Sequence, residues 1–419
     1  MQPASMTRNQ PRFVVMLTAA VSVALAFLFL PVTSESVLNT NQPQQPPQQA
    51  PRWAPRDPQQ WTACNYSTGW WIRKPPSAPY HSTCPFLQDV GPVNCINRPQ
   101  RPSLSWLGYR WRPATCQVPA YGFRPYHFLE MMRNRVIASV GDSLSYQNLM
   151  PSLLCHIHGA SPVTEIPNDG SLAIQHKRSR VYRVQAYNVT LINTWSTFLN
   201  EYWQDEQTLS RYSGGKNRTD EDSVINLDGV DPALASRVTK YDVLILQTAA
   251  HWQAKPNKWR RYFVDGQGRV VFTERQYIAA FERGMRAIAN LLSQSDLDSP
   301  PAARTPVPFF LSAPAKINRC KSHSQPLTHA RVLQTRYKIP QYTRWLPAQQ
   351  RAVAGSRIRL LDVTSSSLYR PDSFVGSGGV NNDCVHFCLP GVPDSWVDML
   401  HNMFSRQAVF RVPKGAPVI

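Results

Sequence analysis

Acidic residues are scarce in this chain. Asp and Glu number 26 against 45 Lys and Arg, giving a formal net charge of +19. That imbalance points to an acidic partner such as nucleic acid, an anionic membrane or a uronic-acid polysaccharide, with a merely solvated surface as the plainer reading. Zinc-finger spacing, an RNA-recognition motif and a basic region joined to heptads are all absent, which makes nucleic acid a poor candidate. No internal repeat is present, so repeat architectures are excluded. Long apolar runs are missing too, with one exception at 13–30, where no charge interrupts the run. No cysteine lies before or within it.

That run, FVVMLTAAVSVALAFLFL, is just long enough to cross a hydrocarbon core as a helix. Arg8 and Arg12 precede it, and Glu35 is the first charge after it, so the N-terminus is expected to stay cytosolic. The reading is a signal anchor with the bulk of the chain in the lumen; a cleaved signal peptide is the competing one. All eight cysteines (64, 84, 95, 116, 155, 320, 384 and 388) follow the run, as expected of disulfides in an oxidising compartment. Three glycosylation acceptors agree, at Asn65, Asn188 and Asn217. The chain then divides into a cytosolic tail (1–12), an anchor (13–32), a Gln/Pro-rich stalk (33–60), a Cys/Trp-rich segment (61–125) and an α/β core (126–419). The stalk has almost nothing apolar to bury and should be extended.

Within 61–125, Trp70, Trp71, Trp106 and Trp111 could stack on sugars, but most are expected to fill a loop-rich core. Beyond it, apolar runs at 136–140, 242–247, 307–311 and 358–363 read as buried strands, 181–194 as extended β structure and 273–292 as a helix. Strands alternating with helices predict a mostly parallel sheet covered on both faces. The Gly-, Asn- and Asp-rich stretch 212–231 reads as a surface excursion.

Chemistry concentrates at 134–155, NRVIASVGDSLSYQNLMPSLLC. A strand turning into a helix at Gly141-Asp142-Ser143 can present the serine hydroxyl beside helix N-terminal N–H groups that stabilise an oxyanion. The alternative role for Ser143 is a helix N-cap. Among ten histidines, His386 stands out, three residues after Asp383. Such an aspartate can hold the far ring nitrogen, fix the tautomer and support the imidazolium. The competing readings are a satisfied half-buried histidine, or zinc ligation by Cys384, His386 and Cys388. His156 and His158, beside Cys155, read as structural.

These motifs carry a resemblance. Gly69-Trp70-Trp71, Cys84-Pro85-Phe86-Leu87, Asn97-Arg98-Pro99, Tyr109 through Pro113, Gly141-Asp142-Ser143, His251-Trp252, Leu361-Asp362-Val363-Thr364, Arg370-Pro371-Asp372 and the run from Asp383 to Trp396 are its landmarks. Most of the chain from Cys64 to Phe404 resembles the trichome-birefringence-like family of plant polysaccharide O-acetyltransferases, within the PC-esterase group. The resemblance implies a three-layer α/β sandwich of the GDSL/SGNH type and a single-pass type II Golgi membrane protein with a lumenal catalytic part. It also implies a Ser143–His386–Asp383 triad that moves an acetyl group to a xylan- or pectin-like hydroxyl through an acetyl-serine. A lumenal or secreted acetylesterase, or a non-catalytic polysaccharide-binding protein, would be the alternatives. No bound cofactor or metal is implied, only an acetyl donor, acetyl-CoA or another acetylated carrier. By the same analogy the disulfides pair Cys64 with Cys116, Cys84 with Cys155, Cys95 with Cys388 and Cys320 with Cys384. Two departures stand near the site. Tyr146 occupies a place where the family usually has Arg, and Gln247-Thr248-Ala249-Ala250 replaces Asn-Thr-Gly before His251. Gly141, Asp142 and Gln247, or a backbone N–H, are the expected oxyanion and support groups.

Overall fold

The apolar runs become the centre of a seven-stranded sheet: β1 (Val136–Gly141), β2 (Thr164–Ile166), β3 (Ser179–Val184), β4 (Val189–Trp195), β5 (Val243–Gln247), β6 (Val307–Leu311) and β7 (Arg359–Leu361). The spatial order is β7-β6-β5-β1-β4-β3-β2. From β7 to β4 all neighbours are parallel, while β3 and β2 add antiparallel pairs at the other edge. The computed structural model describes residues 65–88, 90–96, 104–115, 122–173, 178–214, 219–253, 259–294, 306–377, 382–407 and 410. The run at 13–30, the stalk, Cys64, Cys116 and Asn217 lie outside them. No helix among the described residues is long and apolar enough to cross a membrane.

Strands buried on both faces need apolar residues at every position, which is why these segments read as runs rather than alternations. In β5, Val243 and Ile245 join one apolar cluster, with helix Val392–Ser405 and the N-terminal segment. Leu244 and Leu246 join the other, with helix Tyr277–Gln294. Three layers result, of mixed α/β type.

The stretch 181–194 is extended β structure as expected, divided into the two strands of the β3–β4 hairpin and reversed at Gln185–Tyr187 with Asn188 at φ 54°. Asparagine enters the left-handed region at little cost, so the turn needs neither Gly nor Pro. The stretch 212–231 is not wholly an excursion: Ser223–Val230 is a strand of a second sheet. That sheet runs in the order Val270–Phe272, Arg261–Val264, Ser223–Val230, Asn200–Trp203. Polar residues in this strand hide its apolar ones. Ile225 and Leu227 pack with Trp252 and Phe281, and Val224 with Leu209 and Val264.

The N-terminal segment is a hairpin of Gly69–Arg73 and Tyr109–Pro113 surrounded by short turns. Trp106 and Trp111 are buried, and their indole N–H groups donate to the carbonyls of Pro390 and Tyr66. Trp70 is exposed. Cys84–Cys155 and Cys95–Cys388 fasten this segment to the core, and Cys320–Cys384 closes a loop within it. These are three of the four implied pairs; the fourth falls outside the described residues.

His156 and His158 pack as structural groups: His158 Nδ1 accepts from the Val163 N–H, and His156 Nε2 lies 3.3 Å from Asp394. Helix Val392–Ser405 carries two further ionisable groups with opposed linkage. Burial, with His127 and Arg124 nearby, pushes His401 down to about 3. Burial pushes the half-buried Asp398 up to about 6, against the lowering effect of His156. His401 therefore contributes stability that is present above about pH 6.5 and lost as pH falls from there toward 3. Asp398 acts in reverse, disfavouring the fold once it ionises near pH 6 and favouring it on acidification toward 4. Between pH 4.5 and 6 the two slopes offset, each about 1.4 kcal/mol per pH unit at most. Urea titrations of Asp398→Asn should show stability falling more steeply with acid than in wild type, and His401→Gln less steeply. Identical slopes in all three proteins would refute the assignment.

Candidate active site

β1 ends at Gly141, and both of its neighbours end beside it: Gly141 pairs with Trp195 of β4 and Gln247 of β5. The chain passes from β4 to β5 across β1, so the strand order reverses there, the place where open α/β sheets hold ligands. A Cβ on Gly141 would sit 2.3 Å from the Gln247 carbonyl oxygen, so only glycine allows this approach. That carbonyl then accepts the Asp142 N–H at 3.2 Å.

Asp142 is fully buried and accepts three backbone N–H bonds. Leu144 donates to Oδ1 at 3.0 Å, and Ala249 and Ala250 donate to Oδ2 at 3.3 and 3.2 Å. One carboxylate thus ties the turn after β1 to the turn after β5. The helix begins with a π-helical turn, Leu144–Leu149, before the α-helix Met150–His158. Ser143 stands at its N-cap position without a capping bond from its side chain. The Asp142 carboxylate meets the Leu144 N–H instead, which frees the Ser143 hydroxyl.

That hydroxyl is 2.7 Å from His386 Nε2. His386 Nδ1 lies 2.8 Å from Asp383 Oδ2. Asp383 Oδ1 accepts the N–H groups of Val385 and His386, both at 3.0 Å. Burial raises the pKa of this carboxylate, but the bonds from His386 and the two backbone donors outweigh it and leave Asp383 below its ordinary value. An ionised Asp383 holds the proton on Nδ1 and leaves Nε2 as an acceptor facing Ser143. The loop is fixed at both ends. The His386 carbonyl accepts from Val375, Cys388 N–H donates to Ser373, and Cys384 and Cys388 both sit in disulfides. As disulfide sulfurs they have no thiolate to offer zinc.

The three residues open into a cavity of about 260 Å³ bordered also by Leu144, Ala250, His251, Lys316 and Trp345. Burial lowers the pKa of His251, favouring its neutral form. Among the described residues the Ser143 N–H makes no hydrogen bond, so the first helical N–H beside the hydroxyl is open to an incoming oxygen. The Gln247 side chain is buried and is not among the cavity's lining groups, so what this residue brings to the turn is its main-chain carbonyl. Lys316, Gln341 and Trp345 had no local signal in the sequence, since they converge from loops and helices far apart in the chain. His251 was legible only as part of a family block.

Residues 121–403 match the PC-Esterase family, described as a GDSL/SGNH-like acyl-esterase family found in Pmr5 and Cas1p. Residues 62–117 match the PMR5 N-terminal domain. "Protein trichome birefringence-like 25" of Arabidopsis thaliana is 27% identical over 81% of this chain and 76% of its own length. "Xyloglucan O-acetyltransferase 1" of the same plant is 26% identical over 83% of this chain and 81% of its own. A protein of that name from Populus trichocarpa is 26% identical over 81% and 80%.

Proposed function

The chain belongs to the PC-Esterase family of GDSL/SGNH-like acyl-esterases, and from that premise we propose that it is an O-acetyltransferase acting on a cell-wall polysaccharide. The observation that carries this reading is the hydrogen-bonded line from Ser143 through His386 to Asp383. In the first half-reaction Ser143 Oγ bonds to the carbonyl carbon of the donor's acetyl group while its proton passes to His386 Nε2. The developing oxyanion faces the Ser143 N–H at the helix start. The carbonyl re-forms, the donor's leaving group departs with the proton from His386, and an acetyl-serine remains. In the second half-reaction a sugar hydroxyl attacks that ester. His386 takes its proton and returns it to Ser143 Oγ as the acetyl group moves to the sugar.

The acetyl donor, acetyl-CoA or another acetylated carrier, is consumed as a substrate, and no bound cofactor enters either step. We place the protein in the Golgi membrane, anchored through 13–32, with its catalytic part lumenal and glycans at Asn65, Asn188 and Asn217. The relatives named as xyloglucan O-acetyltransferases support transfer over hydrolysis. Purified full-length protein, given an acetyl donor and xylan, pectin or xyloglucan oligosaccharides, is expected to add acetyl groups that mass spectrometry detects on the sugar. Acetate release with no acetylated sugar would make it an esterase.

A further inference from the structure

Beside the Ser143 cavity lies a second concavity of about 390 Å³, whose border includes Trp195, Tyr202, Gln204, Glu221 and Arg261. His251 lines both spaces, so they adjoin at this residue. Four separate parts of the fold build the walls: the end of β4, the strand Asn200–Trp203, the loop before Ser223, and the strand Arg261–Val264. Arg261 is buried at the base, where its guanidinium donates to the carbonyls of His251, Glu221 and Arg260. One side chain therefore fixes the wall shared with the Ser143 cavity and the acidic rim. Trp195 is held by its indole N–H on Thr197 Oγ1 and by the Arg178 guanidinium 4.4 Å from its ring.

The functional groups presented suit hydroxyls. Among the described residues, the Tyr202 hydroxyl, the Glu221 carboxylate and the His251 ring nitrogens make no hydrogen bond, while Gln204 uses its amide N–H on Ser223 and keeps its carbonyl. Planar aromatic surface beside mixed donors and acceptors binds rings that are apolar on their faces and polar at their edges. Charge narrows the choice. The groove's charged border groups besides buried Arg261 are Arg178, Asp220 and Glu221, so the excess positive charge of the chain is not concentrated here. With two guanidinium groups against two carboxylates, the groove offers a sugar carboxylate no net attraction.

We propose that this groove is the acceptor subsite and that it takes a neutral glycan chain, one sugar lying along Trp195 and Tyr202 while its neighbour's hydroxyl passes His251 to reach Ser143. The inference rests on the acetyltransferase reading but is tested without turnover. Full-length Ser143→Ala protein is titrated with xylohexaose, a neutral probe, and with oligogalacturonate, an acidic one, and binding is followed by calorimetry. The neutral probe is expected to bind, with little dependence on salt. Adding Tyr202→Ala or Glu221→Gln should weaken it about tenfold, the range over which single interface contacts act. Tyr202 packs against Phe198, so the exposed Glu221 variant guards against a folding artefact. Absent binding of xylohexaose, equal binding in all three proteins, or tighter and salt-sensitive binding of oligogalacturonate would each overturn the proposal. Failure of the nucleophile assignment would show elsewhere, as acetyl transfer retained by Ser143→Ala.

Discussion

Ser143→Ala is expected to lower acetyl transfer by at least about 10³-fold while leaving thermal unfolding almost unchanged. The asymmetry follows from the contacts of the hydroxyl. It caps no helix and bonds to His386 alone among the described residues, so alanine removes about 1 kcal/mol of hydrogen bonding. Asp383→Asn should act at a distance. An amide cannot accept from two backbone N–H groups and also from Nδ1–H in the present geometry, so the imidazole is expected to turn its acceptor nitrogen away from Ser143. A loss of up to about 10⁴-fold fits that change of tautomer. Combined with Ser143→Ala it should add little, because groups acting as a unit are not additive. Normal transfer by the purified Ser143→Ala protein would remove Ser143 from the mechanism.

How much of this could be read from the chain alone depended on distance along the sequence. Gly141-Asp142-Ser143 and Asp383 to His386 are local patterns, each complete within a few residues, and the structure brings the two together. β1, β5 and β6 were legible because burial on both faces leaves little but apolar residues. The β3–β4 turn was not, since Asn188 takes the left-handed conformation with no glycine to announce it. Nor was Ser223–Val230, whose buried residues are interleaved with Asn, Asp and Gly. Gln247 illustrates the limit of reading by residue type. Its amide looked useful at a strand end, yet its carbonyl is the group that meets the turn, and any residue has one. The role given to Asp142 was vague in the sequence. Its three N–H bonds show it joining two turns.

The disulfide beside the histidine allows stability and positioning to be separated. Cys320–Cys384 spans 64 residues and Cys84–Cys155 spans 71. Loop-closure entropy for the two differs by only about 0.1 kcal/mol, with each contributing about 4 kcal/mol in that model. Replacing either pair by serines should therefore cost similar stability. Their effects on activity should differ. Cys384 follows Asp383 directly, and Cys320 N–H donates to its sulfur at 3.1 Å, so loss of this bridge releases the segment that orients His386. Displacement of a catalytic group by about 1 Å costs on the order of 10²-fold. The Cys320→Ser/Cys384→Ser protein, assayed well below its melting temperature, is expected to lose about 10- to 10²-fold in kcat. The Cys84→Ser/Cys155→Ser protein at the same margin below its own melting point should keep a kcat near wild type, because that bridge ties the N-terminal segment to the far end of the helix Ser143 starts. Equal losses of kcat in the two proteins would mean that Cys320–Cys384 stabilises the fold without holding the histidine.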